Sequence, residues 1–220
     1  MSTLPSPYRN PPPGSRIAQG LAKLGMVLRS RAWQEGFSRD LTPTQGQVLA
    51  HLERRPGSTL NEVAEAMGVR ASTASEAVAV LERKGLVQKK RAAEDGRRLA
   101  LYLTAEGKAE AGSVATWPDF MADIVDSLSV EEQGLLLRLI QKMIRELQER
   151  GEIPIARMCS TCRFFRPEVH ADPLQPHHCA YVDAPFGDRD LRLECPEQEP
   201  ATGPEAVAAW ERFAIVKIAS

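Results

Sequence analysis

From Leu86 to Leu103 the chain abandons the three-to-four-residue spacing of apolar side chains that governs it on either side. In "LVQKKRAAEDGRRLALYLT" apolar residues alternate or run in short blocks around "AEDG", whose Asp-Gly is a strong hairpin signal. The spacing predicts two strands, Leu86 to Arg91 against Arg98 to Leu103. Just before them, "STLNEVAEAMG" and "STASEAVAVLERKG" read as short helices, each ended by a glycine. Leu60, Val63, Ala64 and Met67 face inward on the first, Ala74, Val78 and Leu81 on the second. Two short helices joined by a tight turn are a helix-turn-helix, and the hairpin that follows is a wing.

Longer helices frame this block. Ile17, Leu21, Leu24 and Leu28 share one stripe, which Trp33 and Phe37 extend. "LTPTQGQVLAHLERRPG" enters a helix through Thr42 with Pro43 in its first turn, carries Val48, Leu49 and Leu52 inward, and stops at Pro56-Gly57. Beyond the wing, Thr104 caps a long helix containing Ala109, Val114, Trp117 and Phe120, with Pro118 as a candidate kink. In "SVEEQGLLLRLIQKMIREL" Ser129 and Glu132 have capping-box spacing, and Leu135, Leu136, Leu139, Ile140, Met143 and Leu147 form an apolar face. The expected fold is mainly α with a small β wing, divided into a flexible Pro-rich arm (1–15), a winged-helix and dimerisation domain (16–150), and a small irregular cysteine-rich module (151–220) ending in a helix from about Pro204.

The net charge of −1 carries no general affinity for nucleic acid, so any such affinity must be local. It is local: Arg83, Lys84, Lys89, Lys90, Arg91, Arg97 and Arg98 face only Glu94 and Asp95 along the wing, a ridge suited to phosphates. No apolar run is long enough to span a bilayer or serve as a signal peptide, so the expected location is the cytoplasm, with no membrane partner. Neither a Ser/His/Asp spacing nor a Gly-rich phosphate loop is present, and the chain does not read as an enzyme.

The order of helix, "LTPTQGQVLAHL", "STLNEVAEAMGV", "STASEAVAVLERKGLV", "EDGRRLALYLT" and two long helices resembles the MarR family of winged-helix transcriptional regulators, over roughly Arg16 to Arg150. The resemblance implies a homodimer that binds palindromic double-stranded DNA, usually as a repressor, with its first and last helices interleaved. It also implies that Arg70, Ser72, Thr73 and Ser75 lie at the start of the recognition helix, within reach of base edges or phosphates. Lys89 and Arg91 then belong to the phosphate-facing ridge, while Arg97 and Arg98 enter the minor groove from the wing tip, braced by Asp95. The sequence departs from the family at Glu76 and Val80, where basic or polar residues are common. Family members bind small aromatic or amphipathic effectors in a crevice that Trp33, Trp117 and Phe120 are candidates to line here, although a plain core role is the preferred reading of these aromatics. Others sense oxidants through a cysteine in the helical body, a route closed by the lack of cysteine before Cys159.

All 4 cysteines, and His170, His177 and His178 among the 4 histidines, fall after residue 158. The spacing Cys159-x2-Cys162-x16-Cys179-x15-Cys195 supplies one tight pair and two single thiols. Four thiolates suit tetrahedral Zn or an iron–sulfur cluster, but zinc ribbons normally pair their ligands twice, and the single pair favours a 4Fe-4S cluster over structural zinc. Redox-switched thiols without metal are a third reading. "CSTCRFF", "HHCAY" and "LECPE" make the segment similar to the cluster-binding part of high-potential iron–sulfur proteins. Phe164, Phe165, Tyr181 and Phe186 would then shelter the cluster. His177 or His178 is a candidate to replace one thiolate in a zinc site, although a plain loop role is preferred; His170 has no ligand spacing. The expected function is a regulator whose cluster senses redox state, oxygen, nitric oxide or iron. Alternatives are a zinc-stabilised regulator with a small-molecule effector and an electron-transfer module on a helical dimer.

Overall fold

The computed structural model describes residues 10–91, 99–115 and 119–215. The chain forms two compact units, Met1–Phe120 and Met121–Ser220. Among the described residues no helix is long and apolar enough to cross a membrane.

The first unit opens with α1 (Pro13–Ser38). This helix starts earlier than the expected arm boundary at residue 15, because a proline at the first helical position needs no N–H partner and brings a pre-set φ. Its apolar stripe does not enter a core: Ile17 is 58% exposed, Leu21 and Leu24 each 47%, and Phe37 87%. Helix α2 (Pro43–Arg54) starts with a capping box in which Thr42 and Gln45 exchange hydrogen bonds. Thr59 and Glu62 do the same for α3 (Leu60–Ala66), and α4 (Ala71–Arg83) follows the turn at Gly68. Strand β1 (Val87–Arg91) pairs antiparallel with β2 (Leu99–Leu103), Val87 opposite Leu103 and Arg91 opposite Leu99. Val48, Leu49, Leu52, Val63, Val78, Leu81 and Leu101 interlock in the core. Each such side chain removed from water contributes about 1.5–3 kcal/mol.

In α5 (Ala105–Ala115) Ala109 is exposed, and the inward residues are Gly107, Ala111 and Val114. Thr104 Oγ1 accepts from the Gly107 N–H and donates to the Gly85 carbonyl, which pulls the helix start onto the end of α4. A Cβ on Gly107 would overlap the Leu86 carbonyl oxygen, whereas one on Gly112 meets nothing within 4 Å. Gly107→Ala is therefore expected to lower stability by about 1–3 kcal/mol, as overpacking does. Gly112→Ala should leave it unchanged or raise it by up to about 1 kcal/mol. Thermal melts of the two variants side by side check this; equal Tm values would remove the close contact from the account.

Helix α6 (Asp119–Val125) runs across the division between the units. In the second unit α7 (Val130–Glu149) begins with the expected Ser129/Glu132 capping box. A short 3-10 turn at Cys159–Thr161 leads into a three-stranded antiparallel sheet of β3 (Phe165–Arg166), β4 (His177–Cys179) and β5 (Ala184–Phe186). A second 3-10 turn (Asp188–Asp190) and helix α8 (Gly203–Ala214) complete the unit. Its small core is Phe165, Leu191 and Phe213, joined by Leu137, Phe186 and Trp210.

The expected boundary near residue 150 thus falls inside the second unit, for a reason visible on α7. Its buried residues are Gly134, Arg138 and Gln141, while Leu135, Leu139, Met143 and Leu147 are 36–41% exposed. A loop-rich segment has many backbone groups outside any ladder, and those groups must find partners when buried. The polar face of α7 supplies them: Arg138 donates to the Phe213 and Ile215 carbonyls, Lys142 to that of Ala214, and Gln141 to that of Arg192.

Candidate functional site

The first surface is carried by α4 and the wing. Arg70 is the N-cap of α4, and Ser72, Thr73 and Ser75 stand exposed on its first two turns. No side chain caps the start of this helix. Ala74, Ala77, Val78 and Leu81 bury the opposite face and fix which side is presented. In β1 Lys89, Lys90 and Arg91 are exposed; Lys89 is held 2.7 Å from Glu82. Asp95, Arg97 and Arg98 lie outside the described residues, as do Trp117 and Pro118. Trp33 is exposed on α1, and the Arg31 guanidinium lies 5.5 Å over the Phe120 ring.

The second site belongs to the cysteine unit. Cys159, Cys162, Cys179 and Cys195 are all half-buried, unbridged, and line one cavity of about 150 Å³. The local folding explains their convergence. Cys159 and Cys162 bracket the first 3-10 turn, closed by the Cys162 N–H donating to the Cys159 carbonyl at 2.9 Å. Cys179 ends the central strand, opposite Phe165 on one side and Ala184 on the other. Cys195 is tied by its N–H to the Arg157 carbonyl at 2.9 Å, and the Cys159 N–H donates to the Arg192 carbonyl at 3.1 Å. Phe164, Phe165, Tyr181 and Phe186, the four expected shelter residues, line the same cavity. Among the described residues no three His, Cys, Asp or Glu side chains are gathered into a single-ion site.

Burial pushes the Cys159 thiol up to about 11, and the hydrogen bond from the Arg192 N–H, 3.2 Å from Sγ, offsets this only in part. The other three thiols add to the upward shift. Such a thiol is protonated and unreactive at neutral pH until something replaces its proton. Arg192 also sets its guanidinium 3.8 Å from Cys195 Sγ, so one residue touches two of the four sulfurs.

The histidines have other occupations. His177 is fully buried; its Nδ1 accepts from the Glu168 N–H at 3.3 Å and its Nε2 lies 2.8 Å from Asp188 Oδ1. Both ring nitrogens are engaged, which leaves none for a metal. His178 pairs with His170 at 3.3 Å and with Asp183 at 3.2 Å. Burial pushes the Asp188 carboxyl up, but the bond from His177 and the Arg138 guanidinium outweigh it and hold it below the usual carboxylate range.

Sequence reasoning missed Arg138, Gln141 and Arg192. A signal for the first two was present. Gly134, Arg138, Gln141, Arg145 and Gln148 make a stripe on α7 without a carboxylate, which is unusual for a face that meets only water.

Helices α3 and α4 followed by the β1–β2 hairpin define a winged helix-turn-helix protein. The chain matches the MarR family over residues 39–98. It is 34% identical over 113 residues to the transcriptional regulator HosA of Escherichia coli, covering 51% of this chain and 83% of that protein. The chain belongs to the MarR family of transcriptional regulators. Similar solved structures include S. aureus MepR in its DNA-binding conformation, with a TM-score of 0.53 and 28% identity over 60% of this chain and 98% of that one. The S. aureus MepR–DNA complex is similar with a TM-score of 0.51 and 26% identity, over 60% and 97%.

Proposed function

We propose that the protein is a homodimeric DNA-binding repressor whose cysteine unit holds a 4Fe-4S cluster and makes operator binding depend on redox state, oxygen, nitric oxide or iron supply. The observation that carries the sensory part is the cavity of about 150 Å³ walled by all four thiols and roofed by aromatic rings. One tight Cys-x2-Cys pair with two single thiols, lined by Phe164, Phe165, Tyr181 and Phe186, suits a sheltered cluster better than the twice-paired ligands of a zinc ribbon.

The DNA-binding part rests on family membership and on the exposed polar start of α4 beside the cationic wing strand. In this reading Arg70, Ser72, Thr73 and Ser75 meet the major groove, and Lys89 and Arg91 meet phosphates. A second copy of the chain covers the apolar stripe of α1, of whose 26 residues only Gly36 is buried in the monomer, and the outer stripe of α7. Two such lobes read half-sites about one duplex turn apart.

Arg91→Ala is expected to weaken binding to a selected operator and to lower the slope of log K against log salt by about 0.9. Ser72→Ala should change sequence preference more than salt slope. An unchanged salt slope for Arg91→Ala would remove β1 from the interface. Anaerobic iron and sulfide analysis decides between a cluster and zinc.

A further inference from the structure

Gln141 stands where the thiol site meets α7. Its side chain is fully buried, and its two ends go to the two backbone segments that carry the cysteine ligands. The amide Nε2 donates to the Arg192 carbonyl at 3.1 Å, and Oε1 accepts from the Ser160 N–H at 3.2 Å. Ser160 lies between Cys159 and Cys162. Arg192 donates its backbone N–H to Cys159 Sγ and its guanidinium to Cys195 Sγ. The two segments also grip each other, since the Arg192 carbonyl accepts from the Cys159 N–H. Gln141 therefore closes a ring: helix, first cysteine turn, Cys159, Arg192, helix. No other described side chain hydrogen-bonds to both cysteine-bearing segments from α7.

The same helix turns Leu139 and Met143, its neighbours two residues away on either side, outward as part of its exposed apolar stripe. A change in the separation of the Ser160 and Arg192 segments is felt at Gln141 and so at the pose of that stripe. Packed elements respond to such changes by shifting between discrete arrangements.

Building on the cluster-holding reading above, we propose that Gln141 is the positioning residue that couples the four-thiol site to α7, so that gain or loss of the inorganic core alters DNA affinity through it. Thiolates drawn onto a core fix the two segments at one separation, and the amide passes that separation to the helix. Without the core the separation of the two segments is set by these hydrogen bonds alone, which constrain it less than four bonds to one core.

The test uses the full chain, reconstituted anaerobically with ferrous iron and sulfide, and a duplex selected from a random pool by the wild-type protein. Affinity is measured with the core in place and after chelator stripping. Wild type is expected to differ at least about tenfold between the two states, or about 1.4 kcal/mol of coupling. Q141L is expected to keep the wild-type visible spectrum and iron content but to bring the two affinities within about twofold. Q141E, which keeps an acceptor for the Ser160 N–H but loses the donor to Arg192, should fall between them.

A variant that holds the core and retains the wild-type ratio overturns the proposal. If neither variant retains iron, Gln141 is part of the site rather than a link, and the proposal also falls. Wild type that takes up no iron, or whose affinity ignores the core, sinks the sensor reading itself. That failure is visible before any variant is made.

Discussion

Serine at any one of Cys159, Cys162, Cys179 or Cys195 is expected to abolish or sharply reduce the brown colour and iron of anaerobically purified protein, while leaving the first unit folded. The expectation follows from the size of the unit's own core. Met158, Phe165, Leu191 and Phe213 are the buried hydrophobic residues described in it, and four such side chains contribute on the order of 6–12 kcal/mol before chain entropy is counted. In a module this small the binding energy of any group held by the four thiols would be folding energy. Iron and sulfide analysis, visible absorption and a two-transition thermal melt read the outcome together. Wild-type protein that is colourless and carries one zinc per chain would replace the cluster by a structural ion. Four serine variants that all keep their iron would end the assignment of these thiols as ligands.

The second large effect is at Arg138. Its guanidinium is 5% exposed and spends its donors on the Glu168 carboxylate at 2.8 Å, Asp188 at 3.3 Å and the carbonyls of Phe213 and Ile215 at 2.7–3.1 Å. It also lies 4.7 Å over the Phe213 ring. Removing one partner of a buried charged network leaves the others desolvated, which costs about 3–5 kcal/mol. Arg138→Ala is expected to lower the stability of the second unit by that amount. Arg138→Lys should recover little, because an ammonium cannot reproduce the planar fork.

Acid unfolding provides a further check. Asp188 is held below the usual carboxylate range in the folded protein, so its stabilising contribution is present above that range and is lost as the pH falls through its lowered value. Arg138→Ala removes one cause of the lowering, and the variant's stability should fall less steeply between neutral pH and pH 3. Chemical denaturation at a series of pH values measures this. Parallel curves for wild type and variant would show that Arg138 does not act through Asp188.

Most of the first unit was legible in the sequence because its elements are defined locally. The helix entry at Thr42, the helix-stopping glycines and the change of period at Leu86 each act within a few residues, and each is found where the sequence placed it. The spacing of the four cysteines was likewise enough to expect them in one site, and the structure brings all four to one cavity. What the residues alone could not reveal was how α7 divides its faces. An apolar stripe ordinarily marks the buried side of a helix, since burial of apolar surface is the largest local reward. Here the cysteine unit has little apolar surface to offer and many unsatisfied backbone groups, so it claims the side bearing Arg138 and Gln141. The leucines stay on the exposed side. Local chemistry thus determined which segments are helix, strand and ligand loop. Only the tertiary structure decided that a buried glutamine and a buried arginine, rather than the leucine face, bind α7 to the thiol site, because that choice depends on the unpaired groups of residues 19–77 positions away.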